Sequence, residues 1–218
     1  MLELYGHPFS SYTWKAQIAL YEKAIPFTFR VIDPDHPEHF EALKAYWPLG
    51  KFPVLADNGQ PIIESSIIIE YLDRHSPAGP RLLPDDGDAA LDIRFMDRVF
   101  DNHVMGPMQQ VVNEYILDAA NPDQARVGRA RIALDAIYAW LDRRLPVEGW
   151  VCGADFTLAD CAAAPSLFYA DWVRPIDAAL GRLAAYRARL LARPSVARCV
   201  EEARPFRPFF PLGAPDRD

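Results

Sequence analysis

Strand-forming sequence is confined to the first 63 residues of this 218-residue chain. Residues 2–5, 27–32, 52–55 and 61–63 are short runs rich in β-branched and aromatic side chains, the pattern of half-buried strands. Every later apolar pattern has helical spacing. A chain divided in this way is expected to fold as a small α/β unit followed by an all-helical one. The Pro-, Gly- and Asp-rich stretch 77–87 reads as the linker between them. The boundaries expected are therefore 1–76 for the first domain, 88–205 for the second, and 206–218 for an irregular tail.

Within the first unit, Ser11 to Lys23 carries two apolar stripes, Ala16, Ala19 and Leu20 on one and Trp14, Ile18 and Tyr21 on the other. A helix apolar on two sides is pressed between layers. Strand, helix, strand in this order is a βαβ unit with parallel strands and a right-handed crossover. A short helix reaching Tyr46 follows, and Asp57-Asn58-Gly59 between Phe52–Leu55 and Pro61–Ile63 is a hairpin signal. Glu64 through His75 returns to helical spacing, with Ile68, Leu72 and His75 expected on one face. Helices are expected over 88–119, 123–145, 157–171, 178–191 and 194–203, with Asn121-Pro122 separating the first two.

Composition narrows the function classes. Thirty acidic residues against 23 basic give a formal charge of −7, a field that repels nucleic acid. The longest aliphatic burst, Ile67-Ile68-Ile69, is far too short for a membrane span. The three cysteines, Cys152, Cys161 and Cys199, have neither CxxC nor metal-ligand spacing, and the five histidines, His36 and His39 among them, show no ligand set. A cytoplasmic protein without disulfides or metal is expected.

Three segments carry candidate chemistry. At Gly6-His7-Pro8-Phe9-Ser10-Ser11, the serines are natural helix caps. The same turn gathers free N–H groups and the positive end of a helix dipole, so it also suits an anion such as a thiolate. In Gly50-Lys51-Phe52-Pro53-Val54-Leu55, a cis Phe52–Pro53 bond would leave the backbone of Phe52 free for an extended peptide. Glu64-Ser65-Ser66 opens a helix with an acid and two hydroxyls, which serve either as caps or as contacts for the ammonium and carboxylate of an amino-acid-like ligand. In the second unit, Thr157 and Asp160 have capping-box spacing, and Phe156 with Cys161 that of a hydrophobic staple; the reading is structural.

Together, in this order, these segments resemble the cytosolic glutathione transferases over roughly residues 1–205. Tyr5-Gly6-His7-Pro8 through Ala19-Leu20-Tyr21-Glu22-Lys23 is similar to the phi-class opening, and Ser10 falls on that class's catalytic serine. Ser10-Ser11 with Trp14, Ile18, Ala19 and Leu20 is similar to the zeta-class motif, although Tyr12 stands where that motif has cysteine. Trp47-Pro48-Leu49-Gly50-Lys51-Phe52-Pro53-Val54-Leu55 and Glu64-Ser65 resemble the family's glutathione-binding signature.

The resemblance implies a thioredoxin-like domain followed by the all-helical one, with glutathione as co-substrate and a homodimer as the assembly. It implies Ser10 or Ser11 as the catalytic serine, and Lys51, Phe52, Pro53, Glu64 and Ser65 as glutathione contacts. Phe9, Met105, Met108 and Trp172 are expected around a hydrophobic electrophile, with Phe206 to Phe210 completing or covering that pocket. Transfer of glutathione to the electrophile, glutathione-dependent disulfide reduction, and a catalytically idle binding or scaffold role all remain open at this point.

Overall fold

The computed structural model describes residues 1–76 and 79–218; Pro77 and Ala78, at the start of the expected linker, lie outside the described residues. Strand β1 (Leu2–Gly6) leads into helix α1 (Ser11–Glu22) and strand β2 (Thr28–Val31), which pairs in parallel with β1 as a βαβ unit requires. Helix α2 (Pro37–Tyr46) connects to an antiparallel hairpin of β3 (Val54–Asp57) and β4 (Gln60–Ile63). Its two-residue turn takes positive φ at Asn58 (48°) and Gly59 (84°), the left-handed pair that matches the twist of the strands. The sheet order is β2-β1-β3-β4, and helix α3 (Ser65–His75) packs back on it.

α1 is the layer between the two halves. Nearly every residue from Ser11 to Leu20 is buried, and the helix packs on α3 and on two helices of the second half, α7 (Leu158–Val173) and α9 (Pro194–Ala203). On α3, Ile68, Ile69 and Leu72 are buried. His75, expected on that face, is instead exposed and stacked on Tyr71 at 4.0 Å, because α3 turns its apolar stripe toward α1 and the buried part ends at Leu72 and Asp73, leaving Arg74 and His75 in water.

Apart from an isolated bridge between Trp150 and Gly153, the described residues after Ile63 contain no extended pairing. The helix expected over 88–119 is α4 (Gly87–Val99), a π-helical turn (Phe100–Met105) and α5 (Gly106–Leu117) run together. Pro107 has no N–H for the His103 carbonyl and its ring crowds that oxygen. The neighbouring Gly106 N–H bonds to the Asp101 carbonyl five residues back, so the chain widens by one residue there. Helix α6 (Gln124–Arg144) follows, and α8 (Gly181–Ala192) lies between α7 and α9. The segment expected to be irregular beyond residue 205 begins as a 3-10 helix, Arg204–Phe209.

α7 is buried along its whole length. Its start is fixed by Asp160, whose carboxylate accepts from the Thr157 N–H at 2.9 Å, the Thr157 hydroxyl at 3.0 Å, the Val151 N–H at 3.1 Å and the Tyr186 hydroxyl at 2.6 Å. Phe156 and Cys161, the staple pair, are both buried.

Polar contacts tie the halves together. Glu22 takes both arms of Arg193, at 2.7 and 2.6 Å. The Tyr169 hydroxyl donates to the Phe9 carbonyl at 3.0 Å. Lys15, 1% exposed, reaches across to Asp97 and, at 2.8 Å, to Asp101, and within its own half it donates to the Ser66 hydroxyl at 2.8 Å.

Candidate functional site

The turn from β1 into α1 is set by contacts among its own residues. A Cβ on Gly6 would lie 2.6 Å from the Thr13 side chain, so only glycine lets α1 start this close to the strand. The Ser10 N–H donates to the His7 carbonyl at 2.9 Å, and the Phe9 N–H to His7 Nδ1 at 3.1 Å. Burial lowers the pKa of His7 below its ordinary value, so at neutral pH the ring accepts at Nδ1 and carries its proton on Nε2. Ser10 caps α1 by accepting from the Thr13 N–H at 3.3 Å. Acting there as acceptor, its hydroxyl keeps a proton to donate. Among the described residues, the N–H groups of Ser11 and Tyr12 have no partner, which leaves two donors and the positive helix end facing outward.

Two cavities meet at this turn. A polar one of about 290 Å³ is lined by Tyr12, Trp47, Lys51, Phe52, Pro53, Ile63, Glu64 and Ser65, and from the helical half by Arg98, Asp101 and Asn102. An apolar one of about 500 Å³ is lined by Phe9, Ser10, Ser11, Tyr12, Gly50, Lys51, Phe52, Met108, Gln109, Val112, Ile116, Tyr169, Phe209, Phe210 and Pro211. Tyr12, Lys51 and Phe52 belong to both walls, so the two cavities share a seam beside Ser10 and Ser11.

On the polar side, Lys51 is exposed, and the Phe52–Pro53 peptide bond is cis. Glu64 sits at φ 74°, a left-handed conformation that a residue other than glycine adopts at a cost of about 1–3 kcal/mol. Its carboxylate makes no cap to α3. Among the described residues, neither that carboxylate nor the Ser65 hydroxyl has a hydrogen-bond partner, and no ion pair engages Lys51. The α3 N-terminus thus presents uncapped N–H groups beside an unpaired acid and hydroxyl. Asp101 joins from the other side; burial raises its pKa above the usual carboxylate value, and Lys15 opposes that rise. Burial, reinforced by Asp101, also pushes the Tyr12 phenol up to about 12, so it stays protonated.

All five residues expected on the polar side, Lys51, Phe52, Pro53, Glu64 and Ser65, line one cavity; Ser10 and Ser11 line its neighbour. Phe9 and Met108 line the apolar cavity. Met105 does not. It is 1% exposed on the inward face of the π-helical turn, packed in the core with Phe100 and Val104. Trp172 stands one layer behind the wall, against Phe210 at 5.2 Å and Phe9 at 6.3 Å. Sequence reasoning missed Tyr12, Arg98, Asp101 and Asn102, together with Gln109, Val112, Ile116 and Tyr169 of the apolar wall. Pro107 was the available signal for the re-aimed turn that brings in Asp101 and Asn102. Among the described residues no group of three or more His, Cys, Asp or Glu side chains is placed to hold a metal.

Residues 4–81 match the family model for the glutathione S-transferase N-terminal domain, and residues 124–189 that for the C-terminal domain. The chain is 30% identical over 171 residues to glutathione S-transferase 1 of Dianthus caryophyllus, covering 76% of each chain. It is 28% identical to the maleylpyruvate isomerase of Ralstonia sp, over 85% of this chain and 95% of that one. Among solved structures, a glutathione S-transferase of Methylobacterium radiotolerans in complex with glutathione sulfonate is 31% identical, with a TM-score of 0.76 over 91% of this chain and 94% of the other.

Proposed function

The chain belongs to the glutathione S-transferase family, an enzyme family with glutathione as co-substrate, and on that premise we propose that it activates the glutathione thiol at Ser10 for attack on a flat, apolar electrophile. The observation that carries the reading is the seam at Tyr12, Lys51 and Phe52, where a polar cavity suited to a peptide meets an apolar one. Glutathione offers two carboxylates and one ammonium. Lys51 meets the glycyl carboxylate. The Ser65 hydroxyl and the uncapped start of α3 meet the γ-glutamyl carboxylate, and Glu64 its ammonium. Phe52 pairs through its main chain with the cysteinyl residue, which sets the sulfur at the seam.

A free thiol has a pKa of about 8.5. Lowering it by about 2 units requires about 2.7 kcal/mol of thiolate stabilisation. One hydrogen bond to the anion contributes about 1.5–3 kcal/mol and a helix N-terminus about 0.3–1 kcal/mol. Ser10 and the free N–H groups of α1 are sufficient in magnitude. The thiolate then forms an S–C bond with the electrophile, and the electron pair leaves with the departing group.

The apolar wall supports the substrate class. Six aromatic rings line it, from Phe9, Tyr12, Phe52, Tyr169, Phe209 and Phe210, while among the described residues Lys51 at the seam is the only cation in the lining. A dicarboxylate substrate such as maleylpyruvate needs cations beyond Lys51, which is assigned to the glycyl carboxylate. We further propose the division into domains 1–76 and 88–205, a cytoplasmic location and a homodimer. Among the described residues no helix is long and apolar enough to cross a membrane. Met96, Val104 and Met105 are buried within the chain and offer no surface to a partner. Exposed Ile67 on α3, with Leu91 and Phe95 on α4, offers the face instead. Sedimentation at the 24.6 kDa of one chain would contradict the dimer.

The test of the mechanism is the ultraviolet thiolate absorbance of bound glutathione against pH. Ser10→Ala is expected to raise the bound thiol pKa by about 1–2 units while glutathione still binds, and Ser11→Ala to do less. A shift only in Ser11→Ala moves the role one residue along, and no shift in either removes the serine mechanism. Turnover of chlorodinitrobenzene against that of a mixed disulfide separates transfer from disulfide reduction.

A further inference from the structure

The segment 204–218 folds back over the mouth of the apolar cavity, where Phe209, Phe210 and Pro211 form part of the wall. Phe210 is 5% exposed and stands edge-on between Trp172 of α7 at 5.2 Å and Phe9 of the β1–α1 turn at 6.5 Å. Its position depends on what holds the residues after it.

Charge holds them at two points. Asp171, immediately before Trp172 on α7, has a carboxylate only 8% exposed. One oxygen accepts from the Ile176 N–H at 2.8 Å. The other faces two guanidinium groups, Arg187 at 3.3 Å and Arg217. Arg217 also donates to the Asp171 carbonyl at 3.1 Å. Beside it, Asp218 pairs with Arg207 and, at 3.1 Å, with Arg204, while the Arg207 guanidinium lies over the Trp172 ring at 5.3 Å. Residues 207–218 are thus a loop closed at its base by Asp218, and Arg217, next to that closure, pins the base to α7.

We infer that the Asp171–Arg217 ion pair is a positioning device for substrate specificity, seating the Phe209–Pro211 wall of the apolar cavity for aromatic electrophiles. The proposal rests on the assignment of that cavity to the electrophile. Arg187 stays on Asp171 when Arg217 is removed, so Asp171 is not left as a lone buried charge and the helical core keeps its pairing. Removing Arg217 loosens the wall from α7, while the Asp218 pairs to Arg204 and Arg207 keep the loop closed. An electrophile that reaches Phe210 then loses a rigid surface, and one too small to reach it loses nothing. Glutathione, held at Lys51, Glu64 and Ser65, does not touch this segment.

The experiment compares wild type, Arg217→Ala and Arg217→Lys. Hydrogen exchange is read at the amides of 210–216, KM is measured for chlorodinitrobenzene and for acrylamide, and the glutathione dissociation constant is measured by calorimetry. Arg217→Ala is expected to exchange faster at 210–216 and to raise KM for chlorodinitrobenzene about three- to fivefold. Its KM for acrylamide and its affinity for glutathione should be unchanged, and Arg217→Lys should lie close to wild type. Unchanged exchange in Arg217→Ala would overturn the seating role. Faster exchange with no change in the ratio of the two KM values would overturn the specificity role. If wild type turns over neither electrophile, the functional reading fails, while the exchange arm still reports whether the ion pair seats the wall.

Discussion

Asp160 gives the structure its most demanding test. Four hydrogen bonds converge on a carboxylate that is 0% exposed: two from Thr157, one from the Val151 N–H and one from the Tyr186 hydroxyl. Loss of an ordinary helix cap costs about 1 kcal/mol. Asp160→Ala does more, because the two N–H groups and the Tyr186 hydroxyl are left buried without an acceptor, at about 1–3 kcal/mol each. Part of that is offset, since alanine also removes a carboxylate whose desolvation raises its pKa. The net expectation is a loss of about 3–5 kcal/mol, a large share of the roughly 5–15 kcal/mol that holds a domain folded.

The assay is urea unfolding followed by far-ultraviolet circular dichroism for wild type, Asp160→Ala and Asp160→Asn, with turnover normalised to folded protein. Asn keeps one oxygen and should lose about half as much as Ala. Turnover per folded molecule should persist, because Asp160 lines neither cavity. A loss below about 1 kcal/mol would refute the convergence argument. A fully stable variant lacking only turnover would refute the structural role itself.

Four further outcomes are expected. Ser65→Ala and Glu64→Ala should each raise the glutathione dissociation constant several-fold by calorimetry, and wild-type affinity in both would remove the assignment. Lys15→Met leaves Asp97 and Asp101 with Arg98 as their remaining cation; it should cost about 3–5 kcal/mol in urea unfolding and raise the KM for glutathione, since Asp101 and Arg98 line the polar cavity. Burial pushes the Cys152 thiol up to about 12 and those of Cys161 and Cys199 well above the ordinary range. At pH 8 roughly one Cys152 thiol in ten thousand is thiolate, so treatment with iodoacetamide should spare activity, and rapid loss would contradict the buried geometry. His7 has a folded-state pKa below its unfolded value, so the unfolded chain takes the proton first as pH falls. Its contribution to stability is complete above about pH 6.5 and declines below it; His7→Asn should flatten that part of the urea-midpoint profile, and an unaltered profile would exclude His7 as the source.

The elements that were legible in the sequence are those whose cause is local. Asn58-Gly59 dictates its own turn by positive φ, and the doubly apolar α1 announces two neighbours without naming them. Thr157 and Asp160 lie three residues apart, so the cap can be read, whereas the Val151 N–H and Tyr186 hydroxyl that join it arrive from 9 and 26 residues away. His75 was misplaced because spacing gives a face but not where the neighbouring layer ends.

The same division explains how the site was read. Ser10, Lys51, Phe52, Glu64 and Ser65 sit at strand–helix junctions of one small sheet, where chain connectivity alone brings the three segments to one edge. The helical half contributes through a π-helical turn, and one added residue per turn there rotates every side chain that follows. Met105 consequently faces the core while Met108 reaches the cavity, a distinction that apolar spacing cannot make. The far wall depends on a charge pair between Asp171 and Arg217, 46 residues apart in the chain. Under the proposed assignment, recognition of the peptide-like co-substrate is encoded in short local motifs, and recognition of the electrophile in long-range packing. On the same assignment, substitutions among Gln109, Val112, Ile116 and residues 209–217 are expected to alter which electrophile is accepted while the polar cavity stays as it is.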